Sequence, residues 1–370
     1  MRSNNVLGFI FAATLDDKIP ELASSRTTAS VPIGGKYRII DFDLSNMSNS
    51  GISNVGIVAK SNFQSLMDHV GSGSAYDLSK RRSNLSILPP YDGKAFSSFV
   101  ETIYNMHGYI EHCREEYVLI SQGNVITNID YTDVFDFHSK KKADITLIYK
   151  NHAIPQGYDR PITLDVDNDG KVNQIFVKPG VVDKGVFNHA YGSILIKKDL
   201  LMSEIRNAIS VNQLDVRRLI QSSLGKYSIY AYENKGYCAA ISSINDYFEF
   251  NMDLMKKEVR DELFNPQRPI YTKVRDDAPS RYGLTSNVKN SIIAQGCVIN
   301  GDVENCVISK VVYVGEGAKL SNCIVMQDTK IGCNTNLNYV IIDKDVTIKD
   351  GRSLMGYDSY PIYIAKKSVV

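Results

Sequence analysis

The sequence predicts an α/β domain with helices on the faces of a βαβ-type sheet, followed by a left-handed parallel β-helix of hexapeptide repeats. Three observations predict this architecture. Strand-like and helix-like runs alternate through the first two thirds of the 370 residues. A proline-punctuated segment then interrupts the pattern, and beyond it single aliphatic residues recur at about every sixth position.

In the first part of the chain, short apolar runs typical of buried strands are separated by stretches typical of helices. The strand-like and helix-like runs that together set this pattern are residues 6–13, 52–60, 99–113, 117–121 and 143–150. Ligands of such sheets bind at the carboxyl ends of the strands. We therefore expect the chemistry to lie after residues 9–13 and after residues 118–121.

The character of the sequence changes near Asn265-Pro266 and again at Asp276-Asp277-Ala278-Pro279, where prolines stand among polar residues. We place a linker at residues 266–287. It separates a first domain of residues 1–265 from a second domain of residues 288–370.

Aliphatic residues after the linker are spaced five or six positions apart: Val314, Leu320, Val325, Ile331, Leu337, Ile342 and Ile348. This spacing is typical of a β-helix in which each face of a triangular coil contributes one inward side chain. A β-sandwich is the alternative, but its strands would alternate with period two. The open ends of a short β-helix expose backbone groups, so we also expect self-association.

Composition argues against several classes of partner. The chain has 42 Lys and Arg residues against 41 Asp and Glu residues, which favours neither nucleic acid nor an anionic membrane. No apolar run approaches the roughly 20 residues of a membrane helix, and the apolar start soon gives way to Asp16 and Asp17. We expect a cytoplasmic protein without a signal peptide, whose six scattered cysteines are free thiols.

Residues 31–46, which read Val-Pro-Ile-Gly-Gly-Lys-Tyr-Arg-Ile-Ile-Asp-Phe-Asp-Leu-Ser-Asn, resemble the signature of ADP-glucose pyrophosphorylases, the glucose-1-phosphate adenylyltransferases. The similarity continues through Ile129-Asp130-Tyr131, residues 246–254 and the C-terminal repeats, and covers nearly the whole chain. It implies a Rossmann-like, GT-A-like nucleotidyltransferase domain with a mixed sheet before the β-helix. The implied reaction joins glucose 1-phosphate to the α-phosphate of ATP, giving ADP-glucose and pyrophosphate. Such a transfer needs backbone amides, cations and Mg²⁺ around the phosphates.

The glycine-rich nucleotide loop of that family is altered here. Where the family has Leu-Ala-Gly-Gly-x-Gly-x-Arg-Leu, residues 11–19 read Phe-Ala-Ala-Thr-Leu-Asp-Asp-Lys-Ile. Side chains replace the bare backbone that phosphates approach, and Asp16 and Asp17 add negative charge. Lys18 stands in the arginine's place but lacks its bidentate fork. We expect ATP to bind poorly in the family's mode.

The two aspartates that the resemblance implies as metal ligands are replaced by Asn124 and Ala240. A neutral amide or a methyl group is a poor substitute for a carboxylate at Mg²⁺. Lys178 remains from the family's sugar-phosphate motif. We therefore expect no catalysis and no cofactor on this chain itself, with Mg²⁺ held by a catalytic partner. The alternative is an active sugar-nucleotide pyrophosphorylase in which Asp130 or Glu101 replaces a lost carboxylate.

The retained signature around Gly34-Gly35 has two explanations. It can serve folding alone, with the glycines forming a turn and Asp41 capping a helix. The resemblance implies instead that nearby cations bind a phosphorylated effector between the two domains. The candidate cations are Arg26, Lys36 and Arg38.

A complete scaffold with an emptied site resembles the GlgD type of non-catalytic subunit in this family. The resemblance implies a regulatory or structural role in glycogen biosynthesis beside a catalytic ADP-glucose pyrophosphorylase subunit, in a heterotetramer, with a homo-oligomer also open. Two other functions stay open. A hexapeptide-class acyltransferase would usually need a histidine base, and the chain has none after His189. A metabolite sensor would need no enzyme partner.

Overall fold

The computed structural model describes residues 5–12, 16–59, 62–79, 84–89, 98–154, 161–177, 185–274 and 276–370. Two parts of the predicted site lie outside these ranges. They are Lys178 and residues 13–15 of the altered nucleotide loop.

The N-terminal domain is built on a mixed sheet of nine strands, and its central strand, β1, runs parallel to both of its neighbours. The other four strands of the domain form two small antiparallel pairs, β2 with β3 and β7 with β13. The strands are β1 (Val6–Phe11), β2 (Pro32–Ile33), β3 (Tyr37–Arg38), β4 (Asn54–Val58), β5 (Asn84–Leu88), β6 (Tyr117–Gln122), β7 (Val125–Thr127), β8 (Ile145–Ala153), β9 (Ile162–Val166), β10 (Val172–Val177), β11 (Val186–Lys197), β12 (Ile229–Glu233) and β13 (Cys238–Ala240).

Helices cover both faces of the sheet, as the sequence predicts. Alternate residues of β1 enter different hydrophobic clusters: Leu7 and Phe9 face one, while Val6 and Ile10 face the other. The helices are α1 (Pro20–Ala23), α2 (Ile39–Asn49), α3 (Gln64–Val70), α4 (Phe99–Asn105), α5 (His107–His112), α6 (Tyr131–Lys141), α7 (Lys198–Ser210), α8 (Val216–Ser222), α9 (Ile244–Asp253) and α10 (Lys257–Leu263).

Local sequence explains where several of these helices begin. Side chains with short polar oxygens accept a hydrogen bond from the first turn of α4, α6, α8 and α9, which satisfies a backbone N–H group that has no partner inside the helix. The capping residues are Ser98, Asp130, Asp215 and Ser243. The predicted capping by Asp41 at α2 is also present, since its Oδ2 accepts the N–H of Arg38 at 2.9 Å.

The C-terminal domain is the predicted left-handed parallel β-helix. Its strands stack into three five-stranded parallel sheets, one for each face of the coil. All seven aliphatic residues that set the six-residue period are at most 1% exposed. The strands are β14 (Arg281–Tyr282), β15 (Asn287–Lys289), β16 (Ile292–Ile293), β17 (Val298–Ile299), β18 (Asp302–Glu304), β19 (Val307–Ile308), β20 (Tyr313–Val314), β21 (Lys319–Ser321), β22 (Ile324–Val325), β23 (Lys330–Ile331), β24 (Asn336–Asn338), β25 (Val340–Ile342), β26 (Thr347–Ile348), β27 (Ser353–Met355) and β28 (Ile362–Ile364).

The two domains share a hydrophobic core. Phe42 and Leu254 of the first domain pack in one cluster with Val307, Ile324 and Ile341 of the β-helix. Between α10 and β14 the described residues form neither helix nor strand. No helix in the described ranges is both long and apolar enough to cross a bilayer.

Candidate functional site

The β2–β3 hairpin carries the predicted signature to the surface between the domains. Gly34 and Gly35 turn it with φ angles of 55° and 80°, in the left-handed region that favours glycine. Helix α9 fixes the hairpin from below, because the Tyr247 hydroxyl donates to the Pro32 carbonyl and Asn251 Oδ1 accepts the Gly34 N–H. A Cβ on Gly35 would lie 3.3 Å from the Ile308 carbonyl oxygen, so the hairpin touches the β-helix directly.

A cleft of about 240 Å³ opens beside this hairpin. Its lining combines residues of β3, α3, the interdomain segment and three successive coils of the β-helix. Five basic side chains face one carboxylate there, so the cleft favours an anion. The lining residues with charge or polarity at the cleft are Lys36, Arg38, Asp68, His69, Lys273, Ser309, Lys310, Gln327 and Lys344.

Burial strongly affects the ionisation of Lys344, one of these cations. It is 9% exposed. Burial, reinforced by the charges of Arg38 and Arg26, lowers the pKa of Lys344 to about 7, against the opposing effect of Asp343. An anion in the cleft would supply the missing counter-charge and favour the protonated ammonium.

Other cations of the cleft already have partners in the structure. Arg38 donates to the carbonyl and hydroxyl oxygens of Ser65 at 2.5 and 2.9 Å, and burial lowers the pKa of its guanidinium. Lys273 donates to the Asp68 carbonyl. Lys310 lies 3.7 Å from a carboxylate oxygen of Asp277. These contacts hold the cationic side chains in place around the opening.

His69 connects the cleft to the start of α2. Its Nε2 lies 2.6 Å from Asp41 Oδ1, and the same oxygen accepts the Tyr76 hydroxyl at 2.6 Å. Burial lowers the pKa of His69, while Asp41 acts in the opposite direction. The buried Asp41 therefore both caps α2 and orients an imidazole that lines the cleft.

The structure does not place Arg26 with Lys36 and Arg38 in the lining of the cleft. Arg26 is 1% exposed, and its Nη2 donates to both carboxylate oxygens of Asp343 at 2.7 and 2.8 Å. Tyr363 donates to the same carboxylate. Arg26 thus joins the first domain to the β-helix through its ion pair with Asp343, the residue that precedes Lys344. This ion pair holds the Arg26 guanidinium group.

The described part of the altered nucleotide loop after the end of β1 comprises Ala12 and residues 16–19. Asp16 Oδ1 accepts hydrogen bonds from both the backbone N–H and the hydroxyl of Thr28, each at 2.7 Å. Thr28 begins a short 3-10 turn. Its backbone N–H group therefore already donates its hydrogen bond to a carboxylate of the chain itself. Lys18 is exposed at the surface nearby.

The residues at the two implied metal positions are a poor fit for Mg²⁺, because they offer it a single neutral oxygen, Asn124 Oδ1, which is buried without a hydrogen-bond partner among the described residues. Asn124 is 1% exposed, and its Nδ2 donates to the Ile241 carbonyl at 3.2 Å. Ala240 packs in an apolar cluster with Val125 and Tyr191. Mg²⁺ requires octahedral oxygen coordination, usually with charged ligands and water. Among the described residues, no group of three or more His, Cys, Asp or Glu side chains is placed to hold a metal ion.

Sequence reasoning missed most of the cleft. Lys273, Lys310 and Lys344 lie in the linker and the β-helix, hundreds of residues from the hairpin, and only the packing of the domains brings them together. One signal was available in the sequence. Lys310 and Lys344 occupy equivalent positions in their coils, because each lies two residues after one of the aligned residues Ile308 and Ile342.

Comparisons with known proteins agree with both halves of the fold. Residues 17–257 match the family described as Nucleotidyl transferase, and residues 273–360 match the family described as GlmU-like, C-terminal hexapeptide. The chain is 32% identical to the glycogen biosynthesis protein GlgD of Bacillus subtilis (strain 168), covering 99% of this chain and 97% of that protein. It is 30% identical to the glucose-1-phosphate adenylyltransferase of Clostridium perfringens (strain SM101 / Type A), covering 100% and 98% of the two chains. The enzyme of the same name from Bacillus cytotoxicus is also 30% identical, over 95% of each chain.

Proposed function

This chain belongs to the glucose-1-phosphate adenylyltransferase family, and we propose that it serves glycogen biosynthesis as a non-catalytic subunit that tunes a catalytic homologue. The proposed assembly is a heterotetramer with that homologue, which would hold the Mg²⁺ and carry out the transfer. Both domains match family models, over residues 17–257 and 273–360, so the chain has two folded domains to contribute to an assembly.

The proposal is best supported by the residues found at the two implied metal positions. Asn124 and Ala240 are buried, one hydrogen-bonded to backbone and the other packed against apolar side chains. Adenylyl transfer depends on neutralising phosphate charge, for which a methyl group and an amide provide little. Asp16 on the amide of Thr28 adds a further obstacle, because its negative charge stands at the nucleotide loop.

Rearranged ligands are less well supported by the geometry. Asp130 accepts the N–H of Thr132 as the N-cap of α6. Glu101 accepts the Ser98 hydroxyl at 3.1 Å in the first turn of α4. Each carboxylate therefore has a local structural role at the start of a helix, which favours the non-catalytic function over an active pyrophosphorylase.

We further propose that the interdomain cleft binds a phosphorylated metabolite and that this is how the subunit responds to the state of the cell. Lys36 and Lys344 supply ammonium groups on opposite domains, and Arg38, held by Ser65, lines the same cleft. A phosphate held by both sides would stabilise the contact between the domains, and a change at that contact is a change that a neighbouring subunit can sense.

Two measurements on the purified chain test this function. With ATP, glucose 1-phosphate and Mg²⁺ the chain alone is expected to form no ADP-glucose above a blank, under conditions in which the catalytic homologue from the same host turns over. Turnover by the chain alone would refute the non-catalytic role.

For the cleft, titration with inorganic phosphate should show binding that Lys36→Met and Lys344→Met weaken and that the exposed-site control Lys289→Met leaves unchanged. Equal binding by all four proteins would refute the cleft as the anion site.

A further inference from the structure

We propose that the Tyr191 side chain covers Ala240, one of the two implied metal positions, so that restoring the two lost carboxylates alone does not restore metal binding. The proposal rests on the proposed non-catalytic function and concerns what has filled the emptied site. On this proposal, the packing of three strands, β7, β11 and β13, prevents metal binding, and not the two substituted positions alone.

Tyr191 lies on β11 and is 5% exposed. Its ring packs with Val125 of β7 and Ala240 of β13, and Cys238 packs against the same cluster from the other end of β13. Val125 and Ala240 are direct partners in the β7–β13 ladder. The phenol ring therefore covers the ladder at the position where the resemblance implies a metal-binding carboxylate.

A stack of imidazole rings holds Tyr191 in this place. Its hydroxyl lies 2.5 Å from His152 Nε2, and the two rings stack with centroids 5.3 Å apart. The His189 ring centroid lies 4.6 Å from that of Tyr191, and His189 also contacts His152, with 3.4 Å between their ring nitrogens. Moving the phenol out of the site would break both its hydrogen bond and its ring contacts.

The backbone next to Tyr191 is closed as well. Gly192 has a φ angle of 85° and lies directly under the side chain of Gln122, so that a Cβ there would overlap the Gln122 amide. Gln122 ends β6, two residues before Asn124. The side chains of Gln122 and Tyr191 thus lie over the same end of the sheet that the sequence marks for chemistry.

A carboxylate introduced at position 240 would meet the Tyr191 ring and aliphatic side chains. Such a group loses its hydration without gaining a hydrogen-bond partner, which favours the neutral, protonated acid. A divalent cation there would also lack room for the water molecules that complete its coordination shell. Removing the ring opens that space and admits water.

The test uses the full-length chain and Mn²⁺ as the probe, with free Mn²⁺ measured by electron paramagnetic resonance. The double variant Asn124→Asp/Ala240→Asp is compared with two triple variants, which add either Tyr191→Ala or Tyr191→Phe. The phenylalanine variant is the matched control, because it keeps the ring and loses only the hydroxyl. We expect Mn²⁺ to bind the alanine triple variant at least about tenfold more tightly than the double variant or the phenylalanine triple variant.

Two results would overturn the proposal. One is Mn²⁺ binding by the double variant as tight as that of the alanine triple variant. The other is a folded alanine triple variant, by circular dichroism and thermal unfolding, that binds no more tightly than the double variant. If Tyr191→Ala prevents folding, Tyr191→Met keeps a thinner apolar side chain in the core and the same comparison applies. Neither result bears on the proposed function, which turnover by the unmodified chain would refute.

Discussion

Lys344 gives the interdomain cleft a pH dependence that can be calculated from the structure. The pKa of Lys344 is about 7 in the empty cleft, because burial and the nearby charges of Arg38 and Arg26 disfavour the ammonium. Lys366 adds to this effect, whereas Asp343 opposes it. An anion bound in the cleft reverses the balance and keeps the ammonium protonated. Binding of an anion should therefore be coupled to uptake of a proton.

The expected magnitude follows from the protonated fraction of Lys344 before binding. That fraction is about nine tenths at pH 6 and about one tenth at pH 8 for a pKa near 7, so the affinity should fall by about tenfold over this interval. Because the pKa of Lys344 is lowered in the empty cleft, this lysine is mostly neutral above pH 7. An anion must then bind together with a proton, and the free-energy cost of taking up that proton weakens binding as the pH rises. Burial lowers the pKa of His69 as well, and the Lys344→Arg variant separates proton uptake by this imidazole from proton uptake by Lys344.

Isothermal titration calorimetry with sulfate measures this coupling, since sulfate keeps its charge between pH 6 and pH 8. The affinity should fall with pH, and the heat should depend on the ionisation enthalpy of the buffer because a proton is taken up. The conservative variant Lys344→Arg stays charged throughout, so it should bind at pH 8 and lose most of the pH dependence. The matched control Lys289→Arg, at an exposed site outside the cleft, should behave like the parent chain. A parent chain with a flat pH profile, or an unchanged slope in Lys344→Arg, would refute the reasoning.

Two further predictions concern buried charges. Arg26→Met should lower the free energy of unfolding by roughly 3–5 kcal/mol, because it leaves the Asp343 carboxylate buried without its bidentate partner. The double variant Arg26→Met/Asp343→Leu should lose much less. Urea denaturation of both variants measures the difference, and an equal loss in the two would contradict this prediction. Asp43 is buried with only the Ser121 hydroxyl donating to one of its oxygens among the described contacts, and burial raises its pKa to about 7. Its folded-state pKa lies above its ordinary value, so the stability it contributes is present at low pH and is lost between about pH 4 and pH 7, by roughly 4 kcal/mol in all. Asp43→Asn should therefore stabilise the chain at pH 8 and have little effect at pH 4, and a pH-independent effect in thermal unfolding would count against this assignment.

Periodicity was the most reliable guide to the fold. The residues at the six-residue spacing, Val314 to Ile348, are all buried inside the coil, because a parallel β-helix repeats its inward position at every face. Strands β1 and β4 fall within the apolar runs that predict them, while β6 and β8 start within their runs and extend beyond residues 121 and 150. The runs mark these strands because buried strands of such a sheet are apolar on both faces. The domain boundaries remain a prediction, although the described residues between α10 and β14 contain no regular element.

The candidate site was only partly predictable, for a physical reason. Substitutions such as Asn124 and Ala240 change the chemistry at a single position and are visible in the sequence. The ion pair between Arg26 and Asp343 joins residues 317 positions apart, and no local pattern marks it. The packing of Tyr191 against Ala240 likewise depends on how β11 lies against the β7–β13 pair. Contacts of this kind arise from tertiary packing, which residue types and spacing do not encode locally.

Above all, we infer that this chain acts through a catalytic homologue. The most direct measurement is to co-express the chain with the catalytic ADP-glucose pyrophosphorylase subunit of its host, purify the mixed oligomer and compare its ADP-glucose synthesis with that of each protein alone. We expect a stable mixed oligomer whose kcat or response to phosphorylated metabolites differs from that of the catalytic subunit, while this chain alone is inactive. Failure of the two chains to associate, or a mixture whose kinetics are the simple sum of its components, would contradict it.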